Sequence, residues 1–200
     1  MEAVVLLHGL GRSRHSMRPL ARVLRPAGYA VISVGYASWS ARLPVLGARV
    51  AAKIETALAA LPEPPERVHL VGHSLGSIIA RWLAANRPPP RLGRIVQLAP
   101  PNQGSHTADW VLPLLGRLVP SLNDLTVAGG VATSIPTPDG VAIGVIAGKR
   151  DLTVRIDETR LDGATARVAV DSMHSFIMYN REAQRQMLAF LKRGAFHRDA

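Results

Sequence analysis

The pentapeptide Gly72-His73-Ser74-Leu75-Gly76 places a serine between two glycines, straight after the apolar run Val68-His69-Leu70-Val71 and straight before the apolar-periodic residues 78–85. That order reads strand, sharp turn, helix. A serine on such a bend is held out above the sheet edge, and the glycines are required because a Cβ at either position would collide with the neighbouring strand or helix. The same turn puts the N–H of Leu75 at a helix N-terminus, where it can donate to a developing oxyanion. One peptide thus offers a nucleophile and half of an oxyanion hole.

A serine hydroxyl is a weak nucleophile at neutral pH and needs a histidine base, itself oriented by an acid. In strand–turn–helix sites of this kind the chain order is Ser, Asp or Glu, His. Three histidines follow Ser74: His106, His174 and His197. His197 lies in the terminal tail and His106 precedes most of the acids, whereas His174 falls in a short loop between the run 167–170 and the last helical segment. His174 is therefore the expected base. Of the acids between Ser74 and His174, Asp151 comes just after the apolar run 141–146, at the carboxyl end where open parallel sheets bind their ligands. Asp157, six residues on, competes with it on this reading. Asp171 is too close to His174 in sequence to reach round, and most of the remaining acids read as surface charge. The second oxyanion donor is expected in His8-Gly9-Leu10-Gly11, where glycines let the backbone of Leu10 approach a substrate oxygen.

These residues need a scaffold of short strands alternating with helices. Strands are predicted at 3–7, 30–34, 68–71, 94–98, 141–146 and 167–170, several apolar throughout as buried parallel strands are. Helices are predicted at 17–27 (capped by Ser16), 43–61, 75–86 and 175–192. The fold class is α/β: a mostly parallel sheet of about six strands with helices on both faces. Residues 105–138 fit this alternation least. They join an apolar-rich part around Trp110 to a Gly, Thr and Pro-rich loop, and read either as a helix packed on the sheet or as a cap over the ligand crevice. With 200 residues, 48% of them apolar, the chain suits a single domain spanning 1–200.

The net charge of +10 suggests nucleic acid, but of the 24 basic residues only Lys53, Lys149 and Lys192 are lysine, and the arginines are spread along the chain. Coding bias is the plainer cause, and nucleic-acid binding is not expected. Transient contact with an anionic lipid surface is the better electrostatic reading. The absence of cysteine removes disulfide scaffolds, thiolate nucleophiles and Cys-based metal sites. No metal, nucleotide or dinucleotide motif occurs, so no cofactor and no metal are expected. No apolar run reaches a membrane span, and the N-terminus lacks a signal-like pattern. The chain reads as cytoplasmic as written, or secreted if its N-terminus has been trimmed.

Taken together, the residues resemble the α/β-hydrolase superfamily, and within it small bacterial lipases of the Bacillus lipase A type. The resemblance runs from Val4 to about Leu191. It is carried by Val4-Val5-Leu6-Leu7-His8-Gly9-Leu10-Gly11, by Gly72 to Gly76, and by Asp151-Leu152-Thr153-Val154, Arg160-Leu161-Asp162-Gly163-Ala164 and Met173-His174, which match the lipases' acid-to-histidine spacing. It implies a minimal α/β-hydrolase fold, a Ser74–Asp151–His174 triad in preference to Asp157, and backbone oxyanion donors at Leu10 and Leu75. The chain departs in having Ser77 where a second glycine is common, and in a longer 105–138 segment than the smallest, lidless lipases carry. Such lipases are usually secreted.

The expected activity is hydrolysis of small-molecule or lipid esters through an acyl-enzyme. A thioesterase or acyltransferase using the same triad, and a catalytically silent binding protein of the same fold, are the alternatives. Weaker signals remain. Arg12, Arg14, His15 and Arg18 cluster after the first glycine loop and read as a solvated helix start, with an anionic headgroup site as the sharper alternative. His73 reads as structural. Residues 99–105, which follow the fourth strand, should border the crevice, with a plain turn as the alternative, and Trp39 and Trp110 are candidate acyl-pocket residues, though aromatics beside a core are ordinary.

Overall fold

The computed structural model describes residues 1–197. Strand β1 (Ala3–Leu7) has side chains pointing alternately to opposite faces, and all five residues are buried. Ala3, Val5 and Leu7 enter one core and Val4 and Leu6 the other. At roughly 1.5–3 kcal/mol for each fully buried Val or Leu side chain, this central strand draws helices onto both faces. After α1 (Arg18–Leu24) come β2 (Ala30–Val34) and α2 (Leu43–Ala59), then β3 (Val68–His73), α3 (Leu75–Asn86) and β4 (Leu92–Leu98). Then follow α4 (His106–Leu115), the single-turn α5 (Val131–Ser134), β5 (Ile143–Gly148), β6 (Ala166–Val170) and α6 (Arg181–Arg193).

The six strands lie in the order β2-β1-β3-β4-β5-β6, and every pairing is parallel. Helices α2 and α3 contribute to the core on one face, α1 and α6 to the core on the other. This is the α/β architecture, a parallel six-stranded sheet with helices on both faces, expected from the alternation of strands and helices. All carboxyl ends of a parallel sheet lie along one edge, so the loops after β1, β3, β5 and β6 converge there.

Local differences from the sequence reading have physical causes. Ser16 does not cap α1: its hydroxyl donates to the Ser13 carbonyl at 2.8 Å, a 3-10 turn covers Arg14–Met17, and Pro19 in the first turn of α1 lacks an N–H to cap. The last helix begins at Arg181 rather than at 175, because residues His174–Tyr179 form a 3-10 turn. Asn180 then restarts the chain as an N-cap, its side chain accepting the Ala183 N–H at 2.9 Å. Residues 105–138 hold α4, a 3-10 turn at Pro120–Leu125 and α5. Asp124 and Glu158 are buried, not surface acids. Asp124 takes the Arg42 guanidinium at 2.8 Å and the Leu43 N–H at 2.7 Å, fastening this segment to the start of α2. Glu158 accepts from His106 N at 2.8 Å and so caps the N-terminus of α4.

Candidate active site

The turn between β3 and α3 is built as its glycines require. Ser74 has φ 52 and ψ −121, a conformation non-glycine residues rarely adopt and one held here by surrounding contacts. Its N–H donates to the Leu98 carbonyl at the end of β4, 2.9 Å away. A Cβ on Gly72 would strike the backbone of Gly76 and Ser77, and one on Gly76 would strike the carbonyls of Leu7 and His8. The start of α3 therefore lies directly against the end of β1. Ser77, in the position of a second glycine, turns its hydroxyl back onto the Gly72 carbonyl at 2.7 Å and so ties the turn shut.

The loop after β1 closes over this turn. A Cβ placed on Gly9 would sit 3.3 Å from Ser74 Cβ, which puts the His8-Gly9-Leu10-Gly11 backbone beside the serine. Gly11 has φ 65 and donates its N–H to Ser38 Oγ at 3.0 Å. His8 is buried, and burial lowers its pKa, so it stays neutral. Its Nδ1 donates to the Gly9 carbonyl at 3.0 Å while Nε2 accepts the Tyr36 N–H at 3.4 Å. The two rings stack with centroids 4.0 Å apart, and the Tyr36 hydroxyl donates to the His8 carbonyl. Leu10, from this loop, lines the cavity above Ser74. Leu75 is the first residue of α3, where N–H groups have no intrahelical acceptor.

Asp151 and His174 come from the loops after β5 and β6. Backbone bonds from Lys149 N to Val170 O at 2.8 Å and from Arg150 N to Ser172 O at 3.1 Å hold these loops together. His174 Nδ1 lies 2.7 Å from Asp151 Oδ2, with the carboxylate fully buried and the imidazole 12% exposed. The other carboxylate oxygen accepts the N–H groups of Thr153 at 2.9 Å and Val154 at 2.8 Å. Those two donors fix the carboxylate plane. The structure thus brings Asp151, and not Asp157, against His174; Asp157 is exposed and faces Arg155. His106 is engaged by Glu158, and His197 by Arg193.

His73 packs behind this pair. Its Nε2 donates to the His174 carbonyl at 3.0 Å, and the two rings lie 4.8 Å apart. Burial, reinforced by the neighbouring His174, pushes its pKa down to about 3. It is therefore a neutral donor that holds the His174 backbone, a tie the sequence did not disclose.

Ser74 and His174 open into one cavity of about 310 Å³. Pro101, Ser105, Thr107, Ala108, Val111, Leu122 and Leu125 line much of it, so residues 105–138 supply a largely apolar wall. Trp39 and Trp110 do not line it, and both are exposed. The aromatic acyl-pocket reading is thus replaced by aliphatic residues of α4 and the following turn, which helical periodicity alone marks only as apolar.

Residues 2–135 match a family model described as the alpha/beta hydrolase fold. The match includes Ser74 and ends before Asp151. No curated protein sequence matches the chain. Among solved structures, the mature form of the Bacillus licheniformis lipase BlEst2 superposes with a TM-score of 0.73 at 18% identity, over 97% of this chain and 92% of that one. A structure reported for the metagenome-derived lipolytic enzymes LipS and LipT gives 0.71 at 19%, over 96% and 93%. The Pyrococcus furiosus esterase Pf2001 gives 0.72 at 20%, over 96% and 82%. At these identities the likeness is one of fold. No helix among the described residues is long and apolar enough to cross a membrane.

Proposed function

We propose, for a chain that belongs to the alpha/beta hydrolase fold family, that it is a serine carboxylic-ester hydrolase working through an acyl-enzyme. The observation that carries this reading is that Ser74 and His174 line one cavity while Asp151 holds His174 Nδ1 from behind at 2.7 Å. With the Nδ1 proton on Asp151's side, Nε2 is left with a free lone pair. Ser74 Oγ attacks the ester carbonyl and passes its proton to His174 Nε2. The N–H groups of Leu10 and Leu75 receive the oxyanion, worth about 2.7–4 kcal/mol per donor in sites of this type. Collapse expels the alcohol, which takes the proton from His174. Water then attacks the acyl-Ser74 carbonyl through the same base and releases the acid. Asp151 stays ionised throughout and stabilises the imidazolium.

A lipid ester is the second reading, favoured by α4. Its inner side gives Ala108 and Val111 to the cavity. Trp110 and Leu114 on its other side, with Leu118 beyond its end, are 83%, 80% and 74% exposed. An apolar stripe in water beside the cavity suits transient contact with a lipid surface, and supports reading residues 105–138 as a cap. Thioesterase and acyltransferase readings share every step up to the acyl-enzyme and differ in leaving group or acceptor.

Hydrolysis of p-nitrophenyl esters from acetate to palmitate, by the chain beside its Ser74→Ala variant, tests the proposal. Ser74-dependent release of nitrophenol supports it, and an optimum at long chains supports the lipid reading. Turnover by neither protein would remove the hydrolase reading.

A further inference from the structure

The four basic residues after the first glycine loop do not act as one cluster. Arg14 and His15 line a separate cleft together with Lys53, and the Arg14 side chain packs on Gly35. Arg12 instead lines the cavity that holds Ser74 and His174. Apart from the two histidines it is the one ionisable side chain in the lining among the described residues, and His73 stays neutral through burial. Its position is set from both sides. Arg12 N–H donates to the Gly9 carbonyl at 3.2 Å, closing the oxyanion loop as a turn. Its Nη2 donates to Ser175 Oγ at 2.6 Å. No carboxylate pairs with it among the described residues.

A guanidinium has five N–H donors in a planar fork suited to carboxylate and phosphate oxygens. Here one donor is used by a neutral hydroxyl, and the rest stand at the mouth of a reaction cavity with their charge unanswered. The side of the cavity also matters. Ser175 follows His174, so the Arg12 guanidinium is tethered next to the residue that, in the proposed reaction, hands a proton to the leaving alcohol. The apolar wall formed by Ala108, Val111, Leu122 and Leu125 is then left for the acyl group.

We infer that Arg12 makes this cavity selective for esters whose alcohol moiety carries an anionic group, a carboxylate or a phosphate, beside an uncharged and apolar acyl group. The inference rests on the hydrolase reading for its side of the cavity, and its anion preference stands on the lining alone. Arg12 is exposed, so solvent and salt weaken the attraction. The expected discrimination is about tenfold at low salt and less at 0.5 M.

The test uses butyrate esters of 4-hydroxybenzoate, of 4-hydroxybenzamide and of 4-hydroxyphenyl phosphate. The first two match in size and differ in charge, and the third distinguishes phosphate from carboxylate. Each is given to the unmodified chain and to its Arg12→Ala and Arg12→Lys variants. Comparing each ester across the proteins cancels its intrinsic reactivity. Arg12→Ala should lower kcat/KM for the anionic esters about tenfold more than for the benzamide ester, and Arg12→Lys should retain part of the difference. Calorimetric binding of the same three esters to Ser74→Ala and to Ser74→Ala/Arg12→Ala reads the preference without chemistry. Charge discrimination in binding that vanishes with Arg12, and without turnover by the unmodified chain, supports the anion site and removes the hydrolase reading. Turnover without any Arg12-dependent charge discrimination, in rate or in binding, overturns the inference alone. Failure of both measurements overturns both.

Discussion

Replacing Asp151 by asparagine isolates one proton. The two oxygens of this carboxylate have separate tasks: Oδ1 accepts Thr153 and Val154 N–H at 2.9 and 2.8 Å, and Oδ2 faces His174 Nδ1 at 2.7 Å. An asparagine must keep its single oxygen on the two backbone donors, because leaving both unpaired in a buried site would cost about 1–3 kcal/mol each. Its NH₂ then points at His174 Nδ1, which has to accept. The imidazole proton moves to Nε2, where it blocks uptake of the Ser74 proton. Fold and binding survive while the base is in the wrong tautomer, so kcat should fall on the order of 10³ to 10⁴, about 4–5.5 kcal/mol of transition-state stabilisation. The paired control is Asp157→Asn. That side chain is exposed and makes a surface ion pair with Arg155 at 3.4 Å, a contact worth about 0–1 kcal/mol, and activity should stay within about twofold. Initial rates on p-nitrophenyl butyrate at saturating substrate, with thermal unfolding to confirm folding, measure both. Near-native kcat in Asp151→Asn, or a loss confined to Asp157→Asn, would refute the reasoning.

Gly76→Ala places a methyl against the carbonyls of Leu7 and His8, so it should lower stability by about 1–3 kcal/mol in urea unfolding and distort the turn carrying Ser74; an unchanged midpoint would mean that β1 and α3 are less closely apposed. His73 carries a pH dependence: with a folded pKa of about 3 against an unfolded value near 6.5, the unfolded chain binds the extra proton between those values. Stability should therefore fall as pH drops from about 6.5 towards 3, by up to about 1.4 kcal/mol per pH unit from this residue. His8 and His69, also lowered by burial, act in the same direction, so His73→Gln should reduce the slope between pH 6 and 4 without abolishing it. Equal slopes in the two proteins would remove His73 as a source.

Much of this arrangement is legible in the sequence because steric necessity writes it there. Gly72 and Gly76 are needed wherever a helix start abuts two strand ends, so the turn could be located to the residue, and β1, β2 and α3 have the predicted bounds. Strand β5 runs Ile143–Gly148, two residues later than its apolar run suggests. Ala147 and Gly148 look like a turn, yet they pair with Ala169 and Val170 of β6, and pairing partners are not visible in local pattern. The choice between Asp151 and Asp157 depends on loop geometry set by the Lys149–Val170 and Arg150–Ser172 bonds, which local sequence does not encode. Buried polar ties were least legible. Arg81, on α3, is almost wholly buried and donates to Asn102 Oδ1 at 3.2 Å and to the Ala132 carbonyl. It links the central helix to α5 of the 105–138 segment, although an arginine in a helix normally reads as solvent-facing. Asn180 is a signal that was available: a capping residue inside an apparent helix marked the break between the 3-10 turn and α6.

The central claim is that Ser74 is an activated nucleophile. Intact-mass spectrometry of the chain treated with a fluorophosphonate, followed by peptide mapping, tests it most directly. The account predicts one adduct per chain, located on Ser74, absent from Ser74→Ala and formed far more slowly in Asp151→Asn. A chain that takes up no label, or is labelled equally well in Ser74→Ala, would contradict it.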